Sequence, residues 1–155
     1  MVARTIPVQL PSDEATVGKV TTRIEIRNAD DLRRAARGEL PPGAVRTLVL
    51  DDVLCDTGAT TLCLSPEMVQ ALGLPLIEEV DVATAAGTHR TGLFDDAKLT
   101  VMGRTRTVEC LRLPEAGRAL LGVIPLEQLG LELDLRRQEL RLLPDHGADT
   151  YLTIL

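Results

Sequence analysis

The chain has 155 residues, 45% of them apolar, with 17 Lys and Arg against 23 Asp and Glu, a formal net charge of −6. That is long enough for one domain with a buried core and too apolar for intrinsic disorder. With one Phe, one Tyr and no Trp, the core has to be Leu, Val, Ile and Ala, and neither the acidic balance nor the lack of stacking side chains suits a nucleic-acid partner.

Met1-Val2-Ala3-Arg4 opens no apolar leader, and no run approaches a membrane span, so the expectation is a cytoplasmic protein without membrane contact. Ile6, Val8 and Leu10 then alternate with polar residues and Pro. Residues 20–26 form the first clear strand: Val20, Thr22, Ile24 and Ile26 lie on one face, Thr21, Arg23 and Glu25 on the other. Residues 28–37 read as a short helix with Leu32, Ala35 and Ala36 on one face, Arg33, Arg34 and Arg37 in solvent, and Gly38 as its stop. Pro41-Pro42-Gly43 breaks the chain.

Residues 47–55 form a strand interrupted by Asp51 and Asp52, which suggests a hairpin or bulged pair. A well-punctuated helix follows. Ser65 fits the N-cap, Pro66 the first position, Gly73 the residue past the end, and Pro75 blocks continuation. Residues 80–93 alternate on both sides of Ala85-Ala86-Gly87-Thr88-His89, a hairpin with a small-residue tip. Residues 98–102 and 105–113 make a second hairpin around Gly103. Leu120-Leu121-Gly122 leads to a helical turn starting near Pro125 and ending at Gly130. Leu131, Leu133 and Leu135 alternate, residues 136–138 turn, and Leu140 and Leu142 return. The tail, residues 151–155, is apolar and β-prone. Many strands and short helices predict a mostly β fold, a small closed barrel-like sheet. A half-repeat lies within it: strand, turn, short helix and Leu-Gly-Leu occur at residues 55–74 and again at 120–131.

Cys55, Cys63 and Cys110 are an odd set without Cys-x-x-Cys spacing, expected as buried reduced thiols. His89 and His146 lie far apart in sequence and outside metal-ligand spacing, so neither a zinc site nor a Cys/His nucleophile pair is expected.

Asp56-Thr57-Gly58-Ala59 is the most informative segment. It follows the apolar Val53-Leu54-Cys55 and precedes Thr60-Thr61-Leu62. Strand interiors exclude a carboxylate unless something holds it. Taken as local structure alone, the triplet is a strand-ending turn.

Four segments together resemble the retropepsin-like family, the retroviral-type single-domain aspartic proteases, in its bacterial form. They are residues 53–61 with Asp-Thr-Gly; residues 65–74, Ser/Pro-led and ending in Leu-Gly-Leu; residues 84–92, where a flap hairpin belongs; and Leu120-Leu121-Gly122 with residues 126–131. The sequence departs from the best-known members in three ways. Gly122 is followed by Val123-Ile124-Pro125 rather than Arg, the flap tip has no Tyr or Trp, and residues 28–43 exceed a minimal loop.

The resemblance implies a closed retropepsin barrel and half an active site per chain, completed in a homodimer. Asp56 and Asp56 of the partner subunit would form the catalytic dyad. Thr57 and Gly58 would support the turn, and Ala59, Ala86, Gly87 and Thr88 would bind an extended polypeptide substrate. Gly87 and Gly92 would act as flap hinges. No metal or cofactor is implied. Residues 1–17 would be an N-terminal arm or dimer strand, and residues 145–155 a C-terminal dimer strand. Two other readings stay open: a non-catalytic dimeric peptide-binding module on the same fold, and an unrelated β module in which residues 56–58 are only a turn.

Overall fold

The computed structural model describes residues 5–7, 19–114 and 117–143. Among the described residues, ten strands and three α-helices follow one another: β1 (Thr5–Pro7), β2 (Val20–Asn28), α1 (Ala29–Ala36), β3 (Thr47–Cys55), β4 (Leu62–Leu64), α2 (Pro66–Leu72), β5 (Leu76–Thr84), β6 (Gly87–Val101), β7 (Arg104–Arg112), β8 (Leu120–Leu121), α3 (Val123–Gln128), β9 (Leu131–Asp134) and β10 (Glu139–Leu142). Eight strands share one sheet in the order β1-β5-β6-β2-β3-β8-β4-β7, and a further β6–β7 pairing closes six of them into a ring. The mostly β, barrel-like expectation holds. Closure leaves few strand edges open. β5 hangs outside the ring on β6, with β1 beyond it. The interior is aliphatic: Ile24, Ile26, Leu62, Leu64, Leu72, Leu99, Leu121 and Leu129 are fully buried.

Several elements form as their residues dictate. Ser65 Oγ accepts the Met68 N–H at 3.3 Å, Pro66 starts α2, and Gly73 ends it in the left-handed region at φ 60°. Met102 and Gly103, both at positive φ, make the two-residue turn between β6 and β7. β9 and β10 pair antiparallel. Arg104 docks this hairpin on the ring by donating to the carbonyls of Leu129, Gly130 and Leu143.

Other expectations are corrected. Residues 47–55 are one continuous strand, with Asp51 and Asp52 exposed on its outer part. Of the two readings of Asp51 and Asp52 the hairpin fails and the bulged pair holds: Thr22 pairs with Val53 and Ile24 with Leu50, so the two acids stand opposite Arg23 alone. α3 starts at Val123, two residues before Pro125. The hairpin of residues 80–93 is longer and tighter than expected: β5 starts at Leu76, the turn is Ala85-Ala86, and His89 sits within β6 opposite Val82. In α1 the buried residues are Ala29 and Asp31, while Leu32 and Ala35 are half-buried and Ala36 is exposed. Arg33 and Arg37 are solvated as expected and pair with Asp96 and Glu39. Of the expected terminal strands, residues 5–7 pair within the chain as β1, parallel to β5. Val8, Leu10 and residues 145–155 lie outside the described residues.

Asp31 explains why α1 buries an acid. Its carboxylate, 2% exposed, accepts the Arg46 guanidinium through both oxygens at 2.8 and 2.9 Å, and the Arg46 N–H at 3.1 Å. Asn28 caps α1 through its Oδ1, on the Asp31 N–H at 3.0 Å, and donates its amide to the Leu72 carbonyl at 2.8 Å, tying α1 to the end of α2. A Cβ on Gly73 would lie 1.8 Å from an Arg46 guanidinium nitrogen, so Gly73 leaves room for that side chain.

The hydrogen bond from Arg46 holds the Asp31 carboxyl below its ordinary pKa, against the opposing effect of burial. Because the folded value is depressed, the pair's contribution is complete above the unfolded value of about 3.9 and is lost as pH falls through the folded value. Arg46→Ala strands a buried charge and should cost about 3 kcal/mol. Asp31→Ala leaves a guanidinium that water can reach and should cost about 1–2 kcal/mol. Urea unfolding at neutral pH should rank them in that order, and the gap between wild type and Arg46→Ala should narrow below about pH 4.

Candidate active site

Asp56 is the first residue beyond β3, and its position is set by β8. β8 runs parallel to β3, with Leu54 opposite Leu120 and Cys55 opposite Leu121, and antiparallel to β4, with Leu62 opposite Leu121. It therefore lies between the two strands that bracket residues 56–61. The Asp56 N–H donates to the Leu121 carbonyl at 3.0 Å. Its half-buried carboxylate accepts the Gly58 N–H through Oδ1 at 2.8 Å, and its carbonyl accepts the Ala59 N–H at 3.1 Å. Asp56 thus closes a turn with its own side chain, as Asp commonly does.

The far side of this turn is bonded to the start of α3. The N–H groups of Gly122, Val123 and Ile124 donate to the carbonyls of Thr61, Ala59 and Thr60 at 3.0, 2.9 and 3.0 Å. A helix start leaves its first amides without intrahelical partners, and α3 has no side-chain cap; the Asp56 loop takes that role. The approach is so close that a Cβ on Gly122 would lie 2.5 Å from the Thr61 carbonyl and 2.6 Å from that of Ala59. Thr61, also buried, donates its hydroxyl to the Glu109 carbonyl on β7 at 2.9 Å.

Of the residues expected at the site, Asp56 and Gly58 are brought together by the bond just described, and Thr57 is exposed on the turn. Ala59 is 1% exposed, in an apolar cluster with Leu54, Cys63, Val80, Val82, Leu93, Leu111, Leu113 and Leu120. Its methyl backs the turn from inside instead of offering a surface. Through Val80 and Val82 the same cluster joins the Asp56 turn to the β5–β6 hairpin. Ala86, Gly87 and Thr88 are exposed at or beside the tip of that hairpin. Gly87 has φ 118°, which favours glycine. Gly92 has a second reason to be glycine: a Cβ there would meet Phe94 at 2.7 Å and Leu76 at 2.8 Å.

Thr84 was not among the expected site residues. Its hydroxyl accepts the Ala86 N–H at 3.2 Å and donates to the Gly87 carbonyl at 3.0 Å, locking the tip. A Thr three residues before a hairpin-tip Gly was the signal available in the sequence.

All three cysteines are free and buried. Burial pushes the Cys55 thiol up to about 11. Burial, with the nearby Asp56 charge adding to it, pushes Cys63 up to about 12. Among the described residues no group of three or more His, Cys, Asp or Glu is arranged to hold a metal ion, and no helix is long and apolar enough to cross a membrane.

Residues 50–128 match the family described as gag-polyprotein putative aspartyl protease. The chain belongs to this family. The matched span of this aspartyl protease family member runs from within β3 to the end of α3, so it takes in the Asp56 turn, the β5–β6 hairpin and Gly122. Comparison with curated proteins finds no match.

Gly122→Ala should force backbone apart, because the atoms its Cβ meets are main-chain atoms that cannot rotate away. A loss of about 1–3 kcal/mol is expected in urea unfolding. Amide exchange at residues 56–61 should rise more than at residues 24–26 of β2.

Proposed function

We propose that the protein is a homodimeric aspartic endopeptidase that hydrolyses peptide bonds in extended polypeptides, with Asp56 of each chain forming the dyad. The observation that carries this reading is the placement of one half-buried carboxylate at a turn fixed on both sides, by Leu121 before it and by residues 122–124 after it. One such carboxylate per chain is half of what the reaction needs.

Amide hydrolysis by this route uses water as nucleophile. Two carboxylates a few ångströms apart share one proton and hold the water between them. The ionised partner takes a proton from the water, and the protonated one hydrogen-bonds the scissile carbonyl as it becomes a tetrahedral oxyanion. Gly58 holds Asp56 through its N–H. Exposed Thr57 suits a contact across the dimer. Ala86, Gly87 and Thr88 would meet the substrate backbone by strand addition. Ala59 supports the turn from beneath. No metal, cofactor or covalent intermediate is needed. Residues 72–74, Leu-Gly-Leu, favour the bacterial form of the family, and three free buried cysteines suit a reducing cytoplasm.

One observation favours the second reading, a non-catalytic peptide-binding dimer. The tip is small, and Thr84 already engages the Ala86 N–H and the Gly87 carbonyl. Both readings meet one test: a mixed peptide library incubated from about pH 3.5 to 7.5, a range that brackets titration of a carboxylate pair, with wild type and Asp56→Asn scored by mass spectrometry. Cleavage between apolar residues that falls about 10²–10⁴-fold in Asp56→Asn supports the protease. A folded dimer that is silent at every pH favours the binder, and a monomer in sedimentation removes both.

A further inference from the structure

We propose that residues Thr5–Pro7 are a strap that restrains the β5–β6 hairpin from its outer edge, so that the N-terminal segment regulates how readily this flap opens. The inference rests on the reading of that hairpin as a flap over the Asp56 site. It contrasts with the expectation that this segment joins a sheet between subunits.

Three backbone observations carry it. First, β1 pairs parallel with β5 in the register Thr5–Asp81, Ile6–Val82 and Pro7–Ala83. Ala83 is two residues from the Ala85-Ala86 turn, so the strap grips the outer half of the hairpin. Second, the hairpin meets the barrel through two irregularities. The β5–β6 register shifts between Leu76 and Glu78, and the β6–β7 register shifts between Phe94 and Ala97. Bulges at such points bend a strand and interrupt its ladder, which marks the base where the hairpin would pivot. The strap lies beyond that base. Third, among the described residues β5 is otherwise the outermost strand of the sheet, so β1 alone of these pairs with its outer N–H and C=O groups.

The strap is short enough to release. Three residues, one of them a Pro with no N–H, supply few ladder bonds, each only weakly stabilising once the competing bonds to water are counted. Breaking so few belongs to local fluctuation and not to global unfolding. The hairpin it holds is stiff at the tip through Thr84 and cross-braced by Arg90, which pairs with Glu79 at 3.0 Å and Asp81 at 3.5 Å. A stiff arm with a jointed base and a weak outer tie moves as a unit once the tie is gone.

Hydrogen exchange on the full chain tests this without reference to activity. Two variants are compared with wild type: deletion of residues 1–7, and Thr5→Pro with Ile6→Pro, which keeps chain length but leaves residues 5–7 without an N–H. The expected result in both is exchange about tenfold faster at the β1-facing amides of residues 81–83, with residues 24–26 and 48–50 of the ring unchanged. Unchanged exchange at 81–83 overturns the proposal. So does equal acceleration in the ring, which would make the segment part of the global fold. In the peptide-library assay the same variants should show a several-fold change in kcat/KM. Faster exchange with an unaltered cleavage rate overturns the regulatory role. If no variant cleaves, the protease reading fails while exchange still decides the strap.

Discussion

Three consecutive carbonyls, those of Ala59, Thr60 and Thr61, receive the three N–H groups at residues 122–124, and this contact orders the centre of the molecule. It requires that Gly122 have no side chain, since any Cβ would occupy the space of the carbonyls it serves. It satisfies the open end of α3 and fixes the path of the Asp56 turn with the same bonds. It also explains how a two-residue strand persists. β8 is held between β3 and β4 and continues directly into a helix start anchored on the loop that joins those strands. A polar residue at the end of a buried strand is thereby placed by main-chain geometry and does not depend on side-chain partners that would compete for its carboxylate.

A second polar assembly carries the remainder of the architecture. Asn28, Asp31, Arg46 and Gly73 join the end of β2, the first turn of α1, the start of β3 and the end of α2. The extra length of residues 28–43 is accommodated because Asp31 finds its cation 15 residues later and not within the helix. The segment is fastened to the barrel at its ends, which suits an insertion that leaves the ring pairing of β2 and β3 intact.

How much of this was legible in the sequence depended on how local each cause was. α2 could be read in full, since Ser65, Pro66 and Gly73 act within one or two turns of themselves. The β6–β7 and β9–β10 hairpins were legible for the same reason. Asp56 was legible because a carboxylate after Val53-Leu54-Cys55 conflicts with its surroundings, and such conflicts mark sites. Gly122 was noticed by pattern, but the reason for it, a carbonyl from a loop some sixty positions earlier, was not available locally. The buried face of α1 was misassigned because the apolar stripe at Leu32, Ala35 and Ala36 is weaker than the Asp31–Arg46 pair that overrides it. The interruption at Asp51 and Asp52 was legible as a bulge, because two exposed acids in an apolar run mark the place where β3 sets two residues opposite Arg23 of β2. Ala59 was expected at a surface and is packed inside, where an alanine is small enough to sit under a tight turn.

The three cysteines sit on β3, β4 and β7, strands that all belong to the closed ring. Their sulfurs are shielded from solvent, and burial disfavours the thiolate through which they would react. The chain therefore carries its own unfolding reporters. A thiol-modifying reagent meets nothing in the folded chain: Cys55 and Cys110 lie in the ring's core and Cys63 in the cluster shared with Val80 and Val82 of β5, so the order of labelling records whether the ring or the hairpin beside it parts first.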